Sequence, residues 1–332
     1  MNATKYAMCR GTSLRIALIL GLVLGFACAA SNAQEFPTKP VRVVATGATG
    51  SLNDLLARLV FSRVAETLGQ PFIVENLPGA GGIIAAEVVA KAPPDGYTLL
   101  ITANSTMVIS PFLHSKLSYD SVRDFEPVSM LAKVSELLIV NSSLGVKTLD
   151  EFVRLVKSRP GQITYASGGN GATNHLMMEL FQREADIHLI HVPYKSMSPA
   201  IQAIVSGEVA VLNIGTGLAR PHISSGKVVA LATTGQPARN ASPGIPALTS
   251  SFPRVDYIPW VAVFARKGAS KDVVAKLNAE IEKALTSPGM ETRMETLDLS
   301  PIGGSAGDLG RTLRADLELN RELVKSIGLK LD

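Results

Sequence analysis

Short β-branched runs alternate with helix-periodic stretches along most of this 332-residue chain, and no other feature constrains its fold as tightly. Residues 41–45 are a β-branched run, 46–53 a Gly/Thr/Ser loop, and from 54 to 68 apolar residues recur at helical spacing (Leu55, Leu56, Leu59, Val60, Val64, Leu68). This predicts strand, loop, helix. The pattern continues with strand 72–74, helix 83–90, the turn signal Pro93-Pro94-Asp95-Gly96, strand 98–102 and strand 137–140. Helix 149–157, strand 163–166, helix 173–185, strand 189–192, helix 199–205 and strand 209–212 follow, and later two long helices, 270–285 and 306–327. Such alternation predicts an α/β class with parallel sheets and crossover helices. The length suggests about two domains, and no fixed-period repeat or low-complexity segment interrupts them.

The first 33 residues read differently. Lys5, Arg10 and Arg15 form a basic lead-in, residues 16–30 are apolar and uncharged, and Ser31-Asn32-Ala33 offers small residues for a signal peptidase. This predicts a cleaved secretory leader over 1–33 and a periplasmic location. The apolar run is shorter than the roughly 20 residues a membrane span needs, and Gly25-Phe26-Ala27 is a poor lead-in for lipidation at Cys28. Removing the leader takes three basic residues from a formal charge of +4, leaving about +1 from Gln34 onward. Both cysteines, Cys9 and Cys28, leave with it. That excludes a cysteine nucleophile, a disulfide framework, thiolate zinc and iron–sulfur clusters from the exported part. With no basic run and 5% aromatic residues, nucleic acid is not an expected partner.

In open α/β sheets, ligands sit beyond the carboxyl ends of strands, where loops feed helix N-termini. Two loops have the composition for that. The first contributes Thr46, Gly47, Thr49, Gly50, Ser51 and Asn53; the second contributes Ser167, Gly168, Gly169, Asn170, Gly171 and Thr173. Small residues, hydroxyls and backbone N–H groups at the positive end of a helix dipole make an anion site without formal charge. An ordinary capped glycine turn has the same composition. His175, beside the second loop, is either a ligand contact or a packed core histidine. Neither loop is a nucleotide motif, since a complete G-x-G-x-x-G is missing and no G-x-x-x-x-G-K-[ST] occurs. No cofactor is expected.

Catalytic sets fail on inspection. Gly303-Gly304-Ser305-Ala306-Gly307 matches the serine-hydrolase elbow, but the last histidine, His222, lies upstream of it. Ser305 with Asp308 reads as a cap for the last helix. His188 and His191, three apart on a strand, point to opposite faces and cannot share a metal. No metal site is expected.

Six further stretches occur in order: Phe36-Pro37 with Lys39-Pro40-Val41-Arg42; Val74-Glu75-Asn76-Leu77-Pro78-Gly79-Ala80-Gly81-Gly82; Pro94-Asp95-Gly96-Tyr97-Thr98-Leu99-Leu100; Asp124-Phe125-Glu126-Pro127-Val128; Tyr165-Ala166-Ser167-Gly168; and His191-Val192-Pro193-Tyr194-Lys195. This series, with Trp260 and the turn Lys267-Gly268-Ala269-Ser270, closely resembles the substrate-binding proteins of tripartite tricarboxylate transporters, the Bug family of periplasmic receptors. The resemblance implies a type II periplasmic-binding-protein fold of two lobes, each a mixed sheet flanked by helices. Residues 34–139 and 260–332 would form lobe 1 and 140–259 lobe 2, with hinge crossings near 138–142 and 257–262. It implies a small carboxylate held in the cleft, membrane permease subunits as partners, and a monomeric receptor that closes on its ligand. Asn104, Ser105 and Thr106 would line the cleft beside the two glycine loops. Trp260, next to the second crossing, would either report closure or pack in the core.

The chain departs from such relatives in two places. They commonly carry Pro-x-x-x-Gly-Gly in the first loop, where Thr46, Gly50 and Ser51 stand here and Asp54 remains. They also often carry an acidic residue after the strand ending near Leu212, where this chain reads Asn213-Ile214-Gly215-Thr216-Gly217. Loss of that carboxylate would remove a partner for a ligand ammonium and points to a plain carboxylate. A ligand-loaded sensor for a membrane signalling partner is the alternative function. An exported enzyme on the same scaffold is disfavoured by the missing catalytic sets.

Overall fold

The structure, a computed structural model, describes residues 36–195, 197–234, 244–297 and 299–330. The expected leader, with Cys9, Cys28 and Ser31-Asn32-Ala33, lies outside the described residues.

Eleven strands among the described residues form two sheets. The chain runs β1 (Val41–Thr46), α1 (Leu52–Leu68), β2 (Phe72–Leu77), α2 (Ile83–Ala90), β3 (Thr98–Ala103), a π-helical turn (Ser105–Ile109) leading into α3 (Ser110–Leu113), and β4 (Phe125–Val134). It continues β5 (Glu136–Asn141), α4 (Leu149–Ser158), β6 (Thr164–Ser167), α5 (Thr173–Ala185), β7 (Ile190–Pro193), α6 (Met197–Ser206), β8 (Val211–Gly215), α7 (Thr216–Ser224) and β9 (Val228–Thr234). Then come α8 (Leu248–Ser251), β10 (Trp260–Arg266), α9 (Lys271–Leu285), α10 (Met290–Glu295), β11 (Leu299–Pro301) and α11 (Ala306–Ile327). The first sheet has the order β11-β4-β10-β3-β1-β2 and the second β7-β6-β8-β5-β9, giving a two-lobed α/β fold.

The sheets are mixed, which corrects the parallel arrangement predicted from alternation alone. The β-α-β units do pair in parallel (β1 with β2 and β3, β6 with β7 and β8), as helical crossover connections allow. Antiparallel strands enter where the chain passes between sheets: β10 lies between β3 and β4, and β5 between β8 and β9. The first passage takes one residue. Val134 ends β4 in the first sheet, Glu136 opens β5 in the second, and only Ser135 separates them. This lies upstream of the expected 138–142, because β5 is paired in the second sheet from Glu136 onward. The return runs between Thr234 and Trp260.

Local chemistry sets the helix ends. Ser51 caps α1 by accepting from the Asp54 amide, and Gly69, at φ 64°, ends it in the left-handed region. Ser305 and Asp308 cap α11 reciprocally, a capping box rather than a nucleophile elbow. Val41, Val43, Val44 and Ala45 of β1 are all fully buried, because helices cover both faces of the sheet. One hydrophobic cluster joins Phe125, Trp260 and Phe264 around the first sheet, through Leu309, Leu313 and Leu323 of α11, to Leu138, Val140, Phe152 and Phe181 around the second. The terminal helix is pinned beside the return passage: Trp260 Nε1 donates to Asp316 (2.7 Å) and Tyr257 OH to Asn320 (2.7 Å).

Candidate functional site

The first glycine loop uses its donors on itself. Gly50 N donates to the Asp54 carboxylate (2.8 Å), Ser51 N to Ala48 O (3.0 Å), and Asn53 Nδ2 to Thr46 O (2.9 Å) and Oγ1 (2.7 Å). Asp54 is buried and also accepts from Arg58 Nε (2.8 Å). Burial raises its carboxyl pKa, but the Gly50 amide and Arg58 outweigh that and hold it below the usual range. The N-terminus of α1 therefore carries an internal anion. Behind this loop, Thr106 Oγ1 donates to Gly81 O (2.9 Å), and a Cβ on Gly82 would stand 2.5 Å from Thr106 Oγ1 and 3.0 Å from Thr46 Cγ2. Only glycine fits there, at φ 93°.

The second loop is braced from below by a stack of rings. His175 and His191 lie parallel, 4.0 Å between centroids, and Tyr165 stacks on His191 at 4.7 Å. Gly171 N donates to His175 Nδ1 (3.1 Å), Tyr165 OH to Glu179, and Ser167 Oγ lies 2.6 Å from His191 Nε2. Burial pushes both histidines down to about 4, His191 also feeling His175, so both are neutral at physiological pH. Ser167 and His191 have the spacing of a nucleophile and its base. Ser167 is nonetheless fully buried, with its hydroxyl bonded to the Gly169 carbonyl (3.1 Å), and His191 is a weak base. The arrangement shapes the loop instead.

Donors remain where the second loop turns into helix. Gly168, Gly169, Gly171 and Ala172 N–H are bonded within the loop and its helix. The first-turn amides of Thr173 and Asn174 find no protein acceptor among the described residues. Helix α5 has no side-chain cap and no acidic residue in its first turn, and α7 shares both properties. These two N-termini converge on one depression of about 470 Å³, lined by Gly168, Ala172, Thr173, Asn174, Met197, Ile214, Gly215, Leu218, Val134 and Glu136. Two helix dipoles and unbonded amides aimed at one hollow favour an anion.

Among the described residues, Glu136 is the ionisable one in this wall. Its carboxylate accepts from Asn213 Nδ2. Desolvation pushes it up to about 7, against the smaller lowering effect of the Asn213 bond. Sequence reading missed it because its partner lies 77 residues away on β8.

The residues expected at the site are distributed as follows. Gly168 and Thr173 line the depression, and Asn170 is exposed beside them. Thr49 and Gly50 are exposed, while Gly47, Ser51, Asn53 and Ser105 are half-buried. Thr46, Asn104, Thr106, Ser167, Gly171, His175 and Trp260 are buried, and apart from Asn104 their hydrogen bonds brace the loops or the core. Asn104 Oδ1 is buried with no partner among the described residues. No group of three or more potential metal ligands occurs among the described residues, and no described helix is long and apolar enough to cross a membrane.

The UPF0065 protein in the tcbD-tcbE intergenic region of Pseudomonas sp. (strain P51) is 32% identical over 92% of this chain and 93% of its own. BugT of Bordetella pertussis is 29% identical over 96% and 98%. Among solved structures, an R. palustris protein with adipate is 29% identical, with a TM-score of 0.75 over 90% of this chain and all of the other. MatC from Rhodopseudomonas palustris with bound malate is 31% identical, with a TM-score of 0.69 over 87% of this chain and all of the other. The family model described as tripartite tricarboxylate transporter family receptor matches residues 56–329, and the chain belongs to that family.

Proposed function

We propose that the chain is a periplasmic receptor that captures a small carboxylate between its lobes and delivers it to the membrane subunits of a tripartite tricarboxylate transporter. The observation that carries this reading is the convergence of the uncapped α5 and α7 N-termini on one depression beside the interlobe passage. Adipate and malate in the two R. palustris relatives support a carboxylate ligand. Lobe 1 comprises the mature chain up to Val134 together with residues from Trp260 onward; lobe 2 comprises the segment between. Residues 1–33 act as the export leader, and the receptor works as a monomer. The first glycine loop, with Asn104, Ser105 and Thr106, forms the wall facing α5 and α7. Closure of the lobes surrounds the carboxylate with amide and hydroxyl donors, and the closed form is what the membrane subunits select. The chain binds without turning over its ligand, since its Ser–His pair is buried.

Mass spectrometry of small molecules released from the purified protein tests this, followed by calorimetric titration of the molecule found. A carboxylate that binds stoichiometrically, compacts the particle in solution scattering and is recovered unchanged is the expected result. A ligand without a carboxylate, or chemical conversion of the bound one, would overturn the reading.

A further inference from the structure

The depression has two ends with opposite needs. At one end the first-turn amides of α5 and the α7 N-terminus offer donors. At the other, Glu136 brings a carboxyl into the same wall, and among the described residues no lysine, arginine or histidine lines the hollow to offset it. Polar atoms around Glu136 also lack partners among the described residues. Asn213 gives its Nδ2 to Glu136 and leaves Oδ1 buried with no partner among the described residues. The Thr234 hydroxyl, on the residue paired with Glu136 across β5 and β9, is likewise buried and unpartnered among the described residues. Buried acceptors left without donors are costly. A plain dicarboxylate would worsen the imbalance by placing a second negative charge beside the first.

We propose that Glu136 determines specificity by accepting a cationic nitrogen of the ligand, so that the receptor selects amino-bearing carboxylates over plain ones. This rests on the carboxylate-receptor reading above. An ammonium group supplies three N–H donors, enough for Glu136 and for the Asn213 carbonyl beside it, while its own carboxylate takes the helix N-termini. Asn213, on the neighbouring strand β8, acts as the positioning residue by donating its Nδ2 to the Glu136 carboxylate.

Calorimetric titration of the purified protein with matched pairs, succinate against aspartate and glutarate against glutamate, tests the proposal. In the unchanged protein the amino member of at least one pair should bind about tenfold or more tightly than its plain counterpart. Glu136→Gln should weaken the amino member by about tenfold and leave the plain member unchanged or tighter, with thermal unfolding checking that the variant is folded. Glu136→Asp, which keeps the charge on a shorter arm, should fall between them. A plain member that binds more tightly than its amino counterpart would overturn the proposal, as would a preference that survives Glu136→Gln. So would proton uptake on binding a plain dicarboxylate, read from titrations in buffers of different ionisation enthalpy. Binding without discrimination removes only the role of Glu136, whereas no binding by any member, with no carboxylate co-purifying, removes the receptor reading itself.

Discussion

Gly171, in the loop that opens α5 on the second sheet, lies directly against Leu113, at the end of α3 beside the first sheet: a Cβ on Gly171 would run into Leu113 Cδ1. Gly171 also sits at φ 76°, where an L side chain is strained. Gly171→Ala should therefore destabilise the protein by about 2–4 kcal/mol, combining roughly 1 kcal/mol of backbone strain with overpacking. Urea denaturation of Gly171→Ala, Leu113→Ala and the double variant separates the two parts. In the Leu113→Ala background the glycine change should cost only the backbone part; an undiminished cost would mean that the contact is irrelevant.

Ala172 stands at the N-cap of α5 with φ −63° and ψ 151°, the geometry of a capping residue without a capping side chain. Ala172→Asp should cap the helix and raise stability by about 1 kcal/mol. The same carboxylate would occupy the donors that a ligand needs, so affinity should fall by about tenfold or more. Differential scanning calorimetry and ligand titration on one variant should thus move in opposite directions. Unchanged affinity in a stabilised variant would show that ligand does not use this helix end.

The buried ring stack makes stability depend on acid. His175 and His191 titrate near 4 in the folded protein against about 6.5 unfolded, so between those values the unfolded chain binds more protons and stability falls with falling pH. The loss by pH 4 should be on the order of 3 kcal/mol for each histidine. His175→Phe keeps a flat ring in the stack and should flatten that part of the profile, as read by melting temperature from pH 7 to 4. It also removes the acceptor for Gly171 N, which should lower stability at all pH values by about 1–2 kcal/mol.

Glu136 acts with the opposite sign. Its folded pKa of about 7 exceeds the ordinary 4.5, so the folded protein holds a proton that the unfolded chain has lost. Its contribution is fully present below about 4.5 and is lost as pH rises through about 7. Glu136→Gln should remove this decline, which amounts to at most about 3 kcal/mol, and leave the acid limb set by the histidines. A wild-type profile flat between pH 5 and 8 that becomes steeper in the variant would contradict the assignment.

Trp260 donates from a fully buried indole to Asp316 on α11, and burial holds the Asp316 carboxyl above its usual range. Asp316→Ala should cost about 1–3 kcal/mol by leaving that N–H unpartnered, while Asp316→Asn, which keeps an acceptor, should cost less. Chemical denaturation of the two variants distinguishes them, and equal costs would show that packing, not the bond, holds the helix.

Helices were legible in the sequence where periodicity was long and caps were local. The expected spans 83–90, 173–185 and 306–327 coincide with α2, α5 and α11. Four strands escaped. Pro127 interrupts β4, while β10 is a continuous apolar run, Trp260 to Ala265, whose burial on both faces erases alternation. Their antiparallel placement depends on how the chain crosses between sheets, for which no short-range pattern exists. The two glycine loops were identifiable as helix-opening turns, but not the self-bonding of their amides. Nor could spacing show that His191 would meet His175 rather than His188, or that Glu136 would meet Asn213. The first pair joins a helix residue to a strand residue, and the second follows the register of β5 against β8.

The one-residue passage at Ser135 ties two properties that other architectures keep apart. Val134 and Glu136, on either side of it, both line the hollow, and the Ser135 carbonyl receives the amide (3.0 Å) and hydroxyl (3.1 Å) of Thr216 at the start of α7. The joint and the wall of the hollow are thus the same stretch of backbone. A substitution in this stretch that reshapes the hollow therefore also changes the joint between the two sheets.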